Sequence, residues 1–349
     1  MRGTRLVEGS AVVVALALLF AYVVGWGRVE AVLARTHPGI YSLALAATVG
    51  WVLAWSQTLY ALLIAQRGRL RSGRFRLVFF GGMALRGLVP GGSVSGPAVV
   101  SYVVATSTPV EAEESFAMAY VAEILYWLGS IALAVVGLLG LLLTGGARPP
   151  VSLVAGLGAL AVGFAAVLAV GVRNPALVER PVNRLAGAGR ATVGRVSDRV
   201  RGALDPETID RRLERFFEAL GRLDDDPRHL LPAFGAAVVG WLCHVLALYV
   251  TFLALGVAVP PLALFFVVPV GGVARGISIL PGGLGSVESS MIGLLVLLTP
   301  VGLGTAGVAV MLFRLSTYWF RLGVGALCLL YVGFDDSGIA DGPSLETPR

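Results

Sequence analysis

The sequence predicts an all-α polytopic membrane protein with about six full transmembrane helices, two broken, re-entrant helical hairpins and an inverted-topology internal repeat. Three observations carry this prediction. The 349-residue chain is 56% hydrophobic and only 14% charged, and its mean hydropathy of +0.83 exceeds that of an ordinary soluble domain. Pro-Gly-Gly occurs twice inside apolar blocks, at 90–92 and 281–283, and each copy has a Ser three residues beyond its last Gly. Gly50-Trp51 recurs as Gly240-Trp241 and Tyr126-Trp127 as Tyr318-Trp319. These landmarks have offsets of 190 and 192, against 191 for the Pro-Gly-Gly pair, so two copies of one module are implied.

A span needs about 20 apolar residues. The run from Ala11 to Val24, behind Arg2 and Arg5, reads as a retained first span over about 10–27, because no small-x-small cleavage site follows it. Segments 40–65, 115–143, 151–172, 231–256 and 303–332 also qualify. Blocks 77–107 and 262–299 are each interrupted near the middle by Pro-Gly-Gly; Pro cannot donate to the helix ladder, and paired Gly adds backbone freedom. The arms 77–89 and 92–107 would be roughly 20 to 24 Å long, too short to cross comfortably. A hairpin that enters and returns on one side fits better, its tip buried in protein or facing a water-filled cavity.

All 27 basic residues are Arg, and the net charge is +6. They cluster between apolar spans, which points to membrane orientation and away from nucleic acid. Arg67, Arg69, Arg71, Arg74 and Arg76 follow the second span, and twelve Arg lie between 173 and 228; both groups are expected on the cytoplasmic side of a cell (plasma) membrane. They share a side only if block 77–107 crosses an even number of times. The same count brings the second hairpin in from the opposite face. The expected organisation is an N-terminal helix (1–38), repeat 1 (39–144), a linking helix (145–172), an Arg-rich segment of amphipathic helices (173–228), repeat 2 (229–334) and a disordered cytoplasmic tail (335–349). In 173–228, Asp205-Pro206 suits a helix start, and Ile209, Leu213, Phe216, Phe217 and Leu220 follow at helical spacing.

The candidate site follows from the two breaks. Ser93 or Ser95, and Ser286, suit N-caps of helices that start at membrane depth. Two such N-termini, with Pro90, Gly91 and Gly92 in one tip and Pro281, Gly282 and Gly283 in the other, could converge on an anion. Arg86 and Arg275 precede the breaks; each would cost about 2.5–3.5 kcal/mol at the bilayer centre if unpaired, and beside helix N-termini each would strengthen an anion site. Arg275 could alternatively snorkel to a surface. Glu288 suits the first turn of its own helix or the site. Glu123, Tyr126, Arg314, Tyr318 and Arg321 are candidates for coupling or gating; Arg314, Tyr318 and Arg321 share a helix face, and Arg314 with Glu123 would make an ion pair between repeats. His244 is expected to be hydrogen-bonded to a neighbour, and Cys243 and Cys328 to be small buried residues. No metal, nucleotide or nucleophile motif occurs, so neither cofactor nor enzyme activity is expected.

The Arg-rich loop before MALRGLVPGGSVSGPAVVSYVVA, the long charged central segment, and VARGISILPGGLGSVESSMIGLL resemble the flippase-like membrane region of the lysylphosphatidylglycerol synthases and its free-standing bacterial and archaeal relatives, over about 10–332. The resemblance implies movement of a modified phospholipid or polyprenyl-linked lipid between leaflets. Aminoacyl transfer belongs to a separate soluble domain in that family, and none is expected here. The expected function is therefore a flippase for a phosphate-bearing (aminoacyl-, glyco- or polyprenyl-) lipid. One alternative is a non-transporting scaffold for a lipid-modifying or glycosyl-transferring enzyme, held through 173–228; another is an ion-coupled exporter of small anions using Glu123 and Glu288.

Overall fold

The computed structural model describes residues 36–67, 70–89, 96–144, 227–275 and 280–333, with scattered positions at 34, 278 and between 150 and 218. The chain divides into two units, Met1–Arg148 with Pro227–Arg349, and Pro149–Asp226. The predicted first span, most of the segment 151–228, the tip residues Pro90 to Ser95 and the tail beyond 333 lie outside the described residues.

The first unit is helical, with no strand among its described residues. Its helices are α1 (Pro38–Arg67), α2 (Ser72–Leu88), α3 (Gly96–Ser107) and α4 (Ala112–Thr144), then α5 (Leu230–Ala254), α6 (Pro261–Val273), α7 (Ser286–Leu298), α8 (Leu303–Arg314) and α9 (Arg321–Val332). Among the described residues, five stretches are long and apolar enough to cross a membrane: Pro38–Ile64, Ala112–Thr144, Leu230–Ala254, Pro281–Leu298 and Leu303–Val332. Four match expected spans. The remaining one, Pro281–Leu298, is an arm of the second hairpin; it reaches this length only by including the turn Pro281–Gly283, whereas α7 itself has 13 residues.

Each predicted hairpin is present as a pair of short helices. In the first, α2 begins five residues earlier than expected, at Ser72, and α3 begins at Gly96. The 17 residues of α2 span about 25 Å and the 12 of α3 about 18 Å. Val89 leaves the helix with extended backbone at φ −83°, ψ 129°, as expected of a residue whose successor is Pro. In the second hairpin α6 ends at Val273, and the turn at Pro281–Gly283 uses φ of 64° at Gly282 and 70° at Gly283, values that favour glycine.

Among the described residues, three helix pairs make the most extensive contacts. α1 packs along α5, α2 on α9, and α6 on α4. The α1–α5 seam is built on small residues: a Cβ on Gly50 would meet Cys243 Sγ at 3.3 Å, and one on Gly240 would run into the Trp55 indole. Thr58 Oγ1 donates across the seam to the Ala233 carbonyl at 3.2 Å, and Tyr41 Oη reaches from α1 to the Leu312 carbonyl of α8 at 2.7 Å. The α4–α6 and α2–α9 contacts also rest on glycines. A Cβ on Gly137 would lie 2.7 Å from the Phe266 backbone nitrogen, and one on Gly325 would lie 2.5 Å from the Phe80 carbonyl oxygen.

The last long helix departs from the expected continuous span. Residues Leu315–Phe320 form a π-helical turn between α8 and α9. Such turns are rare and collect at functional sites. Ser316 and Thr317 satisfy carbonyl acceptors within it, both donating to Phe313 at 2.9 and 2.7 Å.

Because the obstacle at Gly137 and Gly325 is backbone, which cannot swing aside, Gly137→Ala and Gly325→Ala should each lower stability by about 1–3 kcal/mol. Gly307→Ala in α8, which meets nothing within 4 Å, should leave stability unchanged or raise it by about 0.5–1 kcal/mol. Thermal unfolding of the detergent-solubilised variants compares them; equal destabilisation at all three positions would refute the close-approach account.

Candidate functional site: buried arginines between the hairpins

The site is assembled from four arginines. Arg86 stands at the end of α2, Arg275 just beyond α6, and Arg314 and Arg321 flank the π turn. Arg314 and Arg321 are only 5% and 6% exposed, so their charges need internal compensation. Arg86 receives it from α4: its two terminal nitrogens donate to the two oxygens of Glu123 at 2.6 and 2.7 Å, a bidentate pair. Arg314 receives it from α7: its Nε donates to Glu288 Oε1 at 2.5 Å, and Nη2 donates to the Gly282 carbonyl at 2.9 Å.

These partners correct the expectation of an Arg314–Glu123 pair. Glu123 closes an ion pair between α4 and α2, and Arg314 one between α8 and α7. Both carboxylates are therefore committed to arginines. The expectation that Ser286 caps its helix is also corrected. Gly285, at φ 83°, holds the cap position, and Glu288 accepts its N–H at 2.7 Å. Ser286 is the first helical residue, and its hydroxyl donates to the Ala274 and Gly283 carbonyls at 3.1 Å each, tying the start of α7 to the end of α6. The positive φ explains the exchange, since a serine there would be strained.

Arg321 and Arg275 are held differently. Arg321 donates only to backbone, from Nε to the Thr317 carbonyl at 3.1 Å and from Nη1 to the Met83 carbonyl of α2. Among the described residues Arg275 makes no hydrogen bond or ion pair. It does not snorkel to a surface, because it lines two small adjoining cavities.

The first cavity, ≈ 20 Å³, is bounded by Trp51, Met83, Arg86, Gly87, Arg275, Gly282, Tyr318 and Arg321. The second, ≈ 10 Å³, adds His244, Arg314 and Thr317 and shares Trp51, Arg275 and Arg321 with the first. Each has room for about one water, so this arrangement is closed to anything larger. Gly87, three residues before Pro90, and Gly282 in the second tip line the same cavity. Pro90, Gly91, Gly92, Ser93 and Ser95 lie outside the described residues.

Tyr318 links the two hairpins: its hydroxyl donates to the Gly87 carbonyl at 3.2 Å, Arg314 stacks on its ring at 4.6 Å, and a Cβ on Gly282 would overlap that ring. Tyr126, its counterpart, lines neither cavity. It stacks on Trp55 at 4.0 Å and donates to the Trp55 carbonyl at 2.7 Å, while its own carbonyl accepts from Trp241 Nε1.

Two site residues escaped the sequence reading. Trp51 registered only as a repeat landmark, yet it lines both cavities, lies 5.6 Å beneath the Arg321 guanidinium and keeps a buried Nε1 without a partner among the described residues. His244 was expected to be hydrogen-bonded. Its Nδ1 is buried and unpartnered among the described residues, its ring 4.0 Å from that of Trp51. The signal for Trp51 was its place in the repeat; that for His244 was a polar residue among apolar ones.

Residues 7–325 match the family model described as the lysylphosphatidylglycerol synthase TM region. Two relatives from Methanothermobacter thermautotrophicus, each named UPF0104 membrane protein, are 33% identical over 94 residues and 29% identical over 121. These alignments cover 27% and 35% of this chain, and 28% and 34% of the relatives, so the chain spans about a third of each relative's length or less.

Removing one member of a buried ion pair strands the other. Glu123→Gln should therefore lower stability by about 3–5 kcal/mol, and Arg86→Gln by a similar amount. The double change Arg86→Gln with Glu123→Gln should recover most of the loss. A double-mutant cycle on thermal unfolding measures this, and additive losses would rule out the pairing.

Proposed function

The chain belongs to the lysylphosphatidylglycerol synthase transmembrane-region family, and we propose that it is a multi-pass membrane transporter moving a phosphate-bearing lipid between leaflets, with its head group bound between the two hairpins. The observation that carries this reading is the shared cavity: Gly87 at the end of α2 and Gly282 in the second tip meet there with Arg86, Arg275 and Arg321. A charge that spends binding energy inside an apolar bundle is rare without a use, and intramembrane arginines commonly mark a substrate path.

The helix pairing supports an inverted repeat. Exchanging the halves converts α1 into α5, α2 into α6, and α4 into the segment α8–α9. Under that exchange the α1–α5 contact maps onto itself, and the α2–α9 contact maps onto α6–α4. Together with the Arg distribution, which brings the hairpins in from opposite faces, this matches transporters whose substrate site lies at the repeat interface. In this reading 173–228 and the C-terminus are cytoplasmic and the membrane is the cell membrane. The chain acts without enzymatic chemistry of its own, and its partners are membrane lipids. Closed cavities of this size require the hairpins to part before a head group enters; the π turn beside Tyr318, which bonds Gly87 across the gap, is the natural place for that movement.

Lipid movement in proteoliposomes tests the reading. Arg275→Ala removes a charge that no described carboxylate balances, so it should fold normally and slow transport of a fluorescent phospholipid by about tenfold or more, the effect of losing one charge-assisted hydrogen bond. An unchanged rate in a well-folded Arg275→Ala protein would exclude this cavity as the site.

A further inference from the structure

The arginines of the site do not carry equal free charge. Arg86 is neutralised by Glu123 and Arg314 by Glu288, each through contacts of 2.5–2.7 Å. Arg321 donates only to neutral carbonyls, and Arg275 has no partner among the described residues. No carboxylate is among the described residues that line either cavity. In sequence, 90–95 and 276–279 contain no ionisable side chain. The cavity is therefore doubly positive, its two free guanidiniums shared by both compartments, with two further buried groups, Trp51 Nε1 and His244 Nδ1, lacking partners among the described residues.

From this charge count we infer that the site is built for a dianionic terminal phosphate, a phosphate monoester or the end of a pyrophosphate, rather than for a phosphodiester. The inference rests on the proposed phosphate-lipid site and narrows its substrate class. A phosphodiester carries one negative charge and would leave one buried guanidinium uncompensated; a monoester carries about −1.5 to −2 at pH 7 and meets both. A head group bearing an added amine is disfavoured further, because its cation enters a cavity that is already positive. The planar guanidinium of Arg275, which has no described partner, and the remaining Nη2 donors of Arg321 suit the three equivalent oxygens of a terminal phosphate. Trp51 Nε1 can donate to it, and His244 Nδ1 can do so when it carries the proton.

Binding to the purified full-length protein in a non-ionic detergent tests this, read by Trp fluorescence or calorimetry. The probes are dodecyl phosphate (monoester), dihexyl phosphate (diester) and inorganic phosphate. At pH 8 the monoester should bind at least about tenfold tighter than the diester, the equivalent of about 1.4 kcal/mol. The preference should shrink at pH 5, where the monoester, whose second pKa is about 6, becomes a monoanion. Arg275→Gln and Arg321→Gln should each weaken monoester binding about tenfold and level the preference. If inorganic phosphate competes as strongly as dodecyl phosphate, the dianion site stands and its ligand is a soluble phosphate; if it competes more than tenfold more weakly, the ligand is a lipid. Equal binding of monoester and diester, both lost in Arg275→Gln, would overturn the dianion assignment and leave the phosphate-lipid reading intact. No binding of either overturns both. Because Arg321→Gln also removes bonds to the Met83 and Thr317 carbonyls that tie the helices together, Arg275→Gln, which breaks no described bond, decides the outcome by itself.

Discussion

The rest of this structure depends on the need to compensate guanidinium charge inside an apolar bundle. An unpaired arginine at the middle of a membrane is costly, and the chain answers with two pairs, Arg86 with Glu123 and Arg314 with Glu288. Each pair bridges separate helices. Arg86–Glu123 ties α2 to α4, and Arg314–Glu288 ties α8 to α7, with Glu288 also accepting the Gly285 N–H that would otherwise be orphaned at the start of α7. The ion pairs thus hold the arms of both hairpins in register with the long helices beside them. They are as much a part of the fold as the glycine seams.

Those seams explain how charges can be brought so close. Gly137 against α6 and Gly325 against α2 let backbones approach closely, and Gly240 makes room for the Trp55 indole, so α2, α6 and the last helix converge on a small volume. The broken tip completes the convergence. Gly282 and Gly283 take left-handed backbone, which turns the chain and aims the Gly282 carbonyl at Arg314. A side chain at Gly282 would meet Tyr318, whose hydroxyl already reaches back to Gly87. Packing, backbone strain and charge compensation here are one design, since changing any of the three moves the others.

How much of this was legible in the sequence depends on which physical signal each residue carries. Pro and Gly punctuate a helix locally, so the breaks, the hairpins and the four long helices could be read from letters and length. Charge asymmetry between spans is likewise a local count. Partner choice is not local: Glu123 and Glu288 are equally plausible partners for Arg314 along the sequence, and only the packing of α7 against α8 and of α2 against α4 separates them. Ser286 misled for a related reason. A serine near a helix start reads as a cap, but the neighbouring Gly285 can adopt the φ of 83° that the cap position requires, and it left the hydroxyl free to bond Ala274. The π turn carried no signal, because its residues Leu315–Phe320 continue an ordinary helical pattern.

The compensation argument also says what remains for function. Once Arg86 and Arg314 have their carboxylates, charge compensation gives no account of Arg275, which has no partner among the described residues, and none of the charge of Arg321, which bonds only neutral carbonyls. Their positions are also not accidents of a surface helix, since both open on the same two cavities beside Trp51. Charge compensation among the described residues therefore accounts for two of the four arginines and leaves the other two facing a water-sized space lined by Gly87 and Gly282. On the proposed reading, charge kept there against its desolvation cost is kept for a ligand, which brings the negative charge that the described lining lacks.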